Sequence, residues 1–426
     1  MSADGHSAPA TTALQRRTLS TLVASQIFGG VGVASGIAVT ALLARRISDS
    51  EALAGLGTTA QVLWGALLAV PLARLMAARG RRPGLCLGYA VAGVGAACVI
   101  ASAVWGWFAL LLVGTALFGG ASASNSQSRY AAADLAHPRH VGRDLSLVVW
   151  ATTVGSVLGP NLVGPAEPVA AALGLPPMTG SFVFSLAGFL AAIAVLHLRL
   201  RPDPLLTARA GAAEHFPALP GPRARGSVAD GLRIIGRHPA SLLGLIVVAA
   251  GHAVMVGVMV MTPLHMDHGG AGLQLIGLVI SIHILGMYAL SPLTGLATDR
   301  FGGRVVAGVG GVILLLSCVL ASLAHAGMSA MLTAALFLLG VGWSCTLVSG
   351  STLITRALAV HERPATQGVS DLVMGLAGGG AGAGAGVVLQ IGGYAALALV
   401  GAAVSVLLLG AVALLGRSPD PAEQRR

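Results

Sequence analysis

Between His252 and Met287 the sequence concentrates groups suited to holding a soft metal ion. Five of the chain's 11 methionines (Met255, Met259, Met261, Met266 and Met287) fall in these 36 residues, where even scatter predicts about one. His252 and His283 share the stretch. At about 100° per helical residue, His252, Met255 and Met259 occupy a stripe about 60° wide, while Met261 falls on the far side and is expected to fill packing space. His283 and Met287 stand four residues apart and so share one helix face. Thioether sulfur binds a soft ion such as Cu(I) without losing a proton and adds no charge to an apolar interior; neutral imidazole is a fitting partner. Because a ligating histidine must be neutral, uptake through such a set is expected to fall as pH drops below its pKa.

Other chemistry is poorly served. Hard ions want cages of oxygen, and an organic cation is expected to want aromatic faces and a carboxylate, in a chain that is only 4% aromatic. Asp144 and Asp371 stand near helix starts, where solvated acids are favoured by the helix dipole. Just beyond the methionine stripe, His265, Met266, Asp267 and His268 form a candidate point of first metal capture; a polar turn is the plainer reading. Cys86, Cys98, Cys318 and Cys345 lie singly in apolar runs with no CxxC, so they read as small buried hydrophobes. No Ser/His/Asp grouping and no phosphate-cradling GxxxxGK[ST] is present. Neither an enzyme nor a resident cofactor is expected, with copper entering only as cargo.

The elements that must position these residues are membrane helices. Hydrophobic residues make up 55% of the 426 and charged residues 9%, against about 25% charged in a soluble domain. Twelve apolar runs stand near 18–44, 52–76, 84–104, 108–131, 144–164, 180–199, 240–265, 272–298, 305–325, 328–353, 366–389 and 393–416. They divide into an 18–199 bundle and a 240–416 bundle of six each, joined by a polar, proline-dotted linker at 200–239 and flanked by tails at 1–17 and 417–426. All 25 basic residues are arginine. If the N-terminus lies inside, only Arg45 and Arg46 fall outside, so 23 of the 25 obey the positive-inside rule and both termini are cytoplasmic. The formal charge of +10 is thus topological: the arginines form no aromatic-rich basic face, and a nucleic-acid partner is not expected.

The two halves repeat. After the eighth span stands Gly295-Leu-Ala-Thr-Asp299-Arg300-Phe-Gly302-Gly-Arg304; after the second stands a worn copy ending Arg79-Gly80-Arg81-Arg82, with Ala77 and Ala78 where the other has Asp299 and Arg300. Gly119 leads into Ser122, Ser124, Asn125 and Ser126 in the fourth span, as Gly340 leads into Ser344, Thr346, Ser349 and Ser351 in the tenth. This six-plus-six layout with its GxxxDRxGxR loop resembles the major facilitator superfamily. The resemblance implies an all-α membrane protein of twelve helices in two six-helix bundles, working by alternating access. It also implies that Asp299, Arg300 and Arg304 gate by pairing across the bundles. Gly155, Gly159-Pro160 and Gly164 in the fifth span resemble a motif of drug/proton antiporters in that superfamily, which makes Gly159 and Pro160 further gating candidates.

Met255-xxx-Met259 in the seventh span followed by His283-xxx-Met287 in the eighth resembles the paired MxxxM and HxxxM pattern of CcoA-like copper importers. That likeness implies copper uptake across the cytoplasmic membrane for cytochrome oxidase assembly, with these four residues as ligands and His252 as an added candidate. The glycine-proline motif instead favours a drug or small-metabolite proton-coupled antiporter. Either way the expected partners are a copper ion or small molecule and the lipid bilayer, with no obligate protein partner.

Overall fold

The structure, a computed structural model, describes residues 7–50, 53, 55–215, 227–325, 327 and 329–415. The C-terminal tail with Arg417, Arg425 and Arg426, the first part of the N-terminal tail, and the middle of the linker with Arg223 and Arg225 lie outside the described residues.

Among the described residues there is no strand. Ten helices are long and apolar enough to cross a membrane, and a further pair bent by 58° makes an eleventh span. The last of the ten, Arg363–Leu415, has 53 residues and turns at Gly393, whose φ of 73° no L side chain adopts easily. Since about 20 residues cross a bilayer, it supplies two spans, and the count among the described residues is the expected twelve. The first four are Ser7–Ser48, Leu56–Arg79, Arg81–Trp105 and Phe108–Ala132. The fifth is Val141–Asn161 with Val163–Ala172, and the sixth Gly180–Arg199. The seventh is Pro239–His268, the ninth Gly303–Leu323 and the tenth Ala330–Ala357.

Proline places the breaks. In the fifth span Pro160 and Pro165 each withhold an amide from the helical ladder around the bend. The eighth span, expected as one rod, runs Leu273–Tyr288 and then Ser291–Phe301. Pro292 lacks an N–H, and its ring collides with the carbonyl of Tyr288, so the helix breaks just after Met287. The linker also carries more structure than its polar composition suggests, with helices at Pro204–His215 and Val228–Arg237.

Packing sorts the chain into two compact units. One comprises residues up to His137, then Val154–Gly231 and Val360–Leu372; the other comprises Pro138–Thr153, Leu232–Ala359 and the residues from Val373 on. The fifth and eleventh spans are thus each shared between units. The first unit's core sets Phe118 edge-on to Phe182 and Phe189, at 5.8 and 5.2 Å between ring centres. Its third and fourth spans touch backbone to backbone, since a Cβ on Gly95 would lie 2.5 Å from the Phe118 nitrogen and 2.6 Å from the Gly114 oxygen. The second unit's core gathers Leu243, Val247, Ala307 and Leu353, with Ala411, Val412 and Leu415 against them.

Candidate functional site

The tenth span is the scaffold on which the second unit's candidate ligands are set. The seventh span crosses it where Gly251 leaves room for Thr346, and the eighth where Gly340 leaves room for the His283 carbonyl and the Met287 amide. His283 is 1% exposed, and its Nδ1 lies 2.8 Å from the carbonyl oxygen of Leu336. A carbonyl only accepts, so Nδ1 carries a proton, and in the neutral ring the lone pair lies at Nε2. That nitrogen is buried and has no hydrogen-bond partner among the described residues. A carbonyl holding one ring nitrogen so that the other can coordinate is the usual support for a ligating histidine. Met287, one turn further on the same face, is buried, as is Met255; Met259 and Met261 are half-buried.

His252 is differently engaged. Trp343 Nε1, which can only donate, lies 3.0 Å from His252 Nδ1 and takes that lone pair. Trp343 also meets the Tyr288 ring edge-on at 5.5 Å. The structure therefore groups His252 with two aromatic residues that the metal-centred reading of the sequence passed over. The signal was available: Trp343 and Tyr288 are among only 5 tryptophans and 4 tyrosines, set in apolar runs beside the candidate ligands.

At the end of the seventh span His265 stacks on Tyr394 at 4.1 Å and 10°, and the Tyr394 hydroxyl lies 2.8 Å from Thr262 Oγ1. His265 Nε2 is a second buried nitrogen with no hydrogen-bond partner among the described residues. Met266 is buried and His268 exposed. Among the described residues no three His, Cys, Asp or Glu side chains gather as a caged ion would require. A metal held in this unit would depend on methionine sulfur.

Asp299 and Gly159 have hydrogen-bond partners within their own units. Asp299 accepts the backbone N–H groups of Gly142 and Arg143, both at 2.8 Å, and pairs with Arg356 at 2.7 Å. It thereby caps the first turn of the fifth span, where the helix dipole favours a carboxylate. Arg356 also donates to the Pro138 carbonyl at 2.9 Å. Arg300 is exposed, with its guanidinium 5.3 Å from the Phe301 ring centre, and Arg304 is half-buried. Gly159 packs on Ala34 of the first span, and its carbonyl accepts from Ser35 Oγ at 3.3 Å; Pro160 is exposed beside the bend.

The sequence profile of the Major Facilitator Superfamily matches residues 19–276 and 267–426. The chain belongs to this family. It is similar to the uncharacterized MFS-type transporter YddS of Bacillus subtilis, 38% identical over 94% of this chain and 91% of that one. It is also similar to the riboflavin transporter RfnT of Brucella anthropi, 28% identical over 84% and 85% of the two chains. Its fold matches the crystal structure of the human organic anion transporter MFSD10 with a TM-score of 0.75, at 16% identity over 93% of this chain and 99% of that one. It is thus a multi-pass membrane transporter.

In this major facilitator chain two buried acids, one in each unit, were read differently from sequence. Asp144 and Asp371, expected as solvated helix-start acids, are 1% and 4% exposed. Asp144 pairs with Arg143 at 2.8 Å, while Asp371 pairs with Arg129 and accepts from Gln127 Nε2 at 2.6 Å. Gln127 Oε1 accepts in turn from Arg81, whose guanidinium forks onto Asp134 at 2.7 and 3.1 Å and donates to Gln367 Oε1 at 2.6 Å. Arg81 and Asp134 are wholly buried. Counting Arg81 among loop charges hid it, although its place in the worn repeat marked it out.

Proposed function

We propose that this transporter carries copper inward across the cytoplasmic membrane, with Met255, Met259, His283 and Met287 as the ligands that hold the ion in transit. The observation that carries this reading is His283: a buried imidazole held at Nδ1 by the Leu336 carbonyl, with no hydrogen-bond partner at Nε2 among the described residues. Three thioethers on the same two spans supply the soft, uncharged remainder. The likeness of the MxxxM and HxxxM pair to CcoA-like importers supports both cargo and direction, and with them delivery for cytochrome oxidase assembly. His252 stands outside the ligand set because Trp343 occupies its lone pair. His265, Met266 and His268 serve as the capture point on the outer side. The arginine distribution supports cytoplasmic termini.

The test is cellular copper accumulation in a strain without its own importer, at matched expression. Wild type should raise cell copper; Met259→Leu, which keeps volume but deletes the sulfur, and His283→Ala should abolish the rise, while Trp343→Phe should leave it intact. A fall in cell copper would reverse the direction, and no change in any strain would remove copper as the cargo.

A second reading has its own support. The similarity to RfnT, together with the Trp343, Tyr288 and His252 group, favours a flat organic solute stacked on Trp343 and moved by a proton-coupled antiporter. Under that reading Trp343→Phe impairs transport and Met259→Leu does not.

A further inference from the structure

The worn first gate loop has lost the acid that its second-half counterpart uses. Ala77 stands where Asp299 stands, and Gly80 where Gly302 stands. Both glycines take nearly the same left-handed conformation, φ 92° and φ 89°. Their surroundings differ. A Cβ on Gly302 would meet nothing within 4 Å, whereas one on Gly80 would lie 2.6 to 2.7 Å from the carboxylate atoms of Asp203. That carboxylate comes from the linker. Asp203 Oδ2 accepts the Arg82 backbone N–H at 2.8 Å, and its Oδ1 accepts from the amides of Leu205 and Leu206 at 3.1 and 3.3 Å, capping the linker helix Pro204–His215. One turn further, Arg209 donates from NH1 to the carbonyl of Ala77 at 2.7 Å.

The linker thus grips the loop at both ends, at residue 77 and at residue 82. Between those points lies Arg81, and its guanidinium holds Gln367 in the first turns of the eleventh span. We propose that Asp203 and Arg209 are gate residues: the linker helix supplies the carboxylate that the first gate loop lacks, and by framing Arg81 it fixes the start of the eleventh span. In the second half Asp299 reaches the first turn of the fifth span directly with its own carboxylate; in the first half the linker reaches the eleventh span only through Arg81. The linker is therefore a working part of the transporter, whatever the cargo.

Hydrogen–deuterium exchange of the full-length protein in lipid nanodiscs tests this with no substrate added, so that its outcome is independent of the copper reading. Three variants are compared with wild type. Asp203→Ala removes both cap and carboxylate, Asp203→Asn keeps a cap for the linker helix but not the charge, and Arg209→Met keeps most of the side-chain volume without its donors. Asp203→Ala and Arg209→Met should speed exchange at least tenfold in peptides covering 77–84 and also in those covering 363–372, with the rest of the third span and the fourth span unchanged; Asp203→Asn should give a smaller rise in the same two places. A rise confined to 77–84 or to the linker helix, or no rise in a folded variant, overturns the proposal.

Discussion

Arg129 and Asp371 meet in a part of the molecule that water barely reaches, 4% exposed each. Removing one partner of a buried pair leaves the other charge without compensation, at a cost of about 3–5 kcal/mol. Asp371→Asn keeps the shape and the hydrogen bond from Gln127 but removes the negative charge facing the guanidinium, and should cost about that much in denaturant unfolding of the purified protein. Arg129→Gln combined with Asp371→Asn should recover most of the loss, because no charge then remains to be stranded. A single variant within about 1 kcal/mol of wild type would mean that water or another acid serves Arg129 as well as Asp371 does. Sequence alone showed Asp371 as an acid near a helix start, because its partner lies 242 residues away. The same limit applies to His283. Its spacing from Met287 was readable, but which ring nitrogen stays bare depends on a carbonyl 53 residues further on. Local periodicity fixes a face of a helix; it does not say what that face meets.

At the scale of elements, hydropathy marked most spans to within a few residues because each must hide its backbone from lipid, though the first helix begins earlier, at Ser7, and the fifth span runs on to Ala172. Hydropathy did not mark the break in the eighth span, where proline interrupts the helix beside Met287; the gap it left between 389 and 393 does match the turn at Gly393 that divides the eleventh span from the twelfth. The crossing of the eighth and tenth spans at Gly340 is where element packing and the proposed site coincide. Gly340→Ala adds a methyl aimed at the His283 carbonyl and the Met287 amide, both backbone atoms, so the spans must move apart. Overpacking of this kind costs about 1–3 kcal/mol. The bond from His283 Nδ1 to Leu336 crosses the same contact, so Gly340→Ala should also lose the His283-dependent part of transport. Gly379→Ala is the control, since a Cβ there meets nothing within 4 Å, and it should change thermal stability little. Equal stability of the two variants would separate the crossing from the site.

For the whole molecule, orientation decides what the sites can mean. The repeat and the arginine loops were legible because insertion reads charge directly from the chain; the division of the fifth and eleventh spans between the two units was not, because it depends on packing between distant segments. With the N-terminus inside, the turns at Gly106 and Gly174 fall outside, and so does the segment holding His265 and His268. Alkaline phosphatase, which folds only where disulfides form, should then be active when fused after Gly106 or Gly174 and inactive after Gly80 or Gly302. Active fusions at Gly80 and Gly302 would invert the molecule. The histidines proposed to capture copper would then face the cytoplasm, and the same ligands would describe an exporter loading from within. Arg45 and Arg46, exposed at the end of the first span, are the two charges that oppose the predicted orientation. Replacing both with glutamine should leave the fusion pattern unchanged, because the remaining 23 arginines already set it.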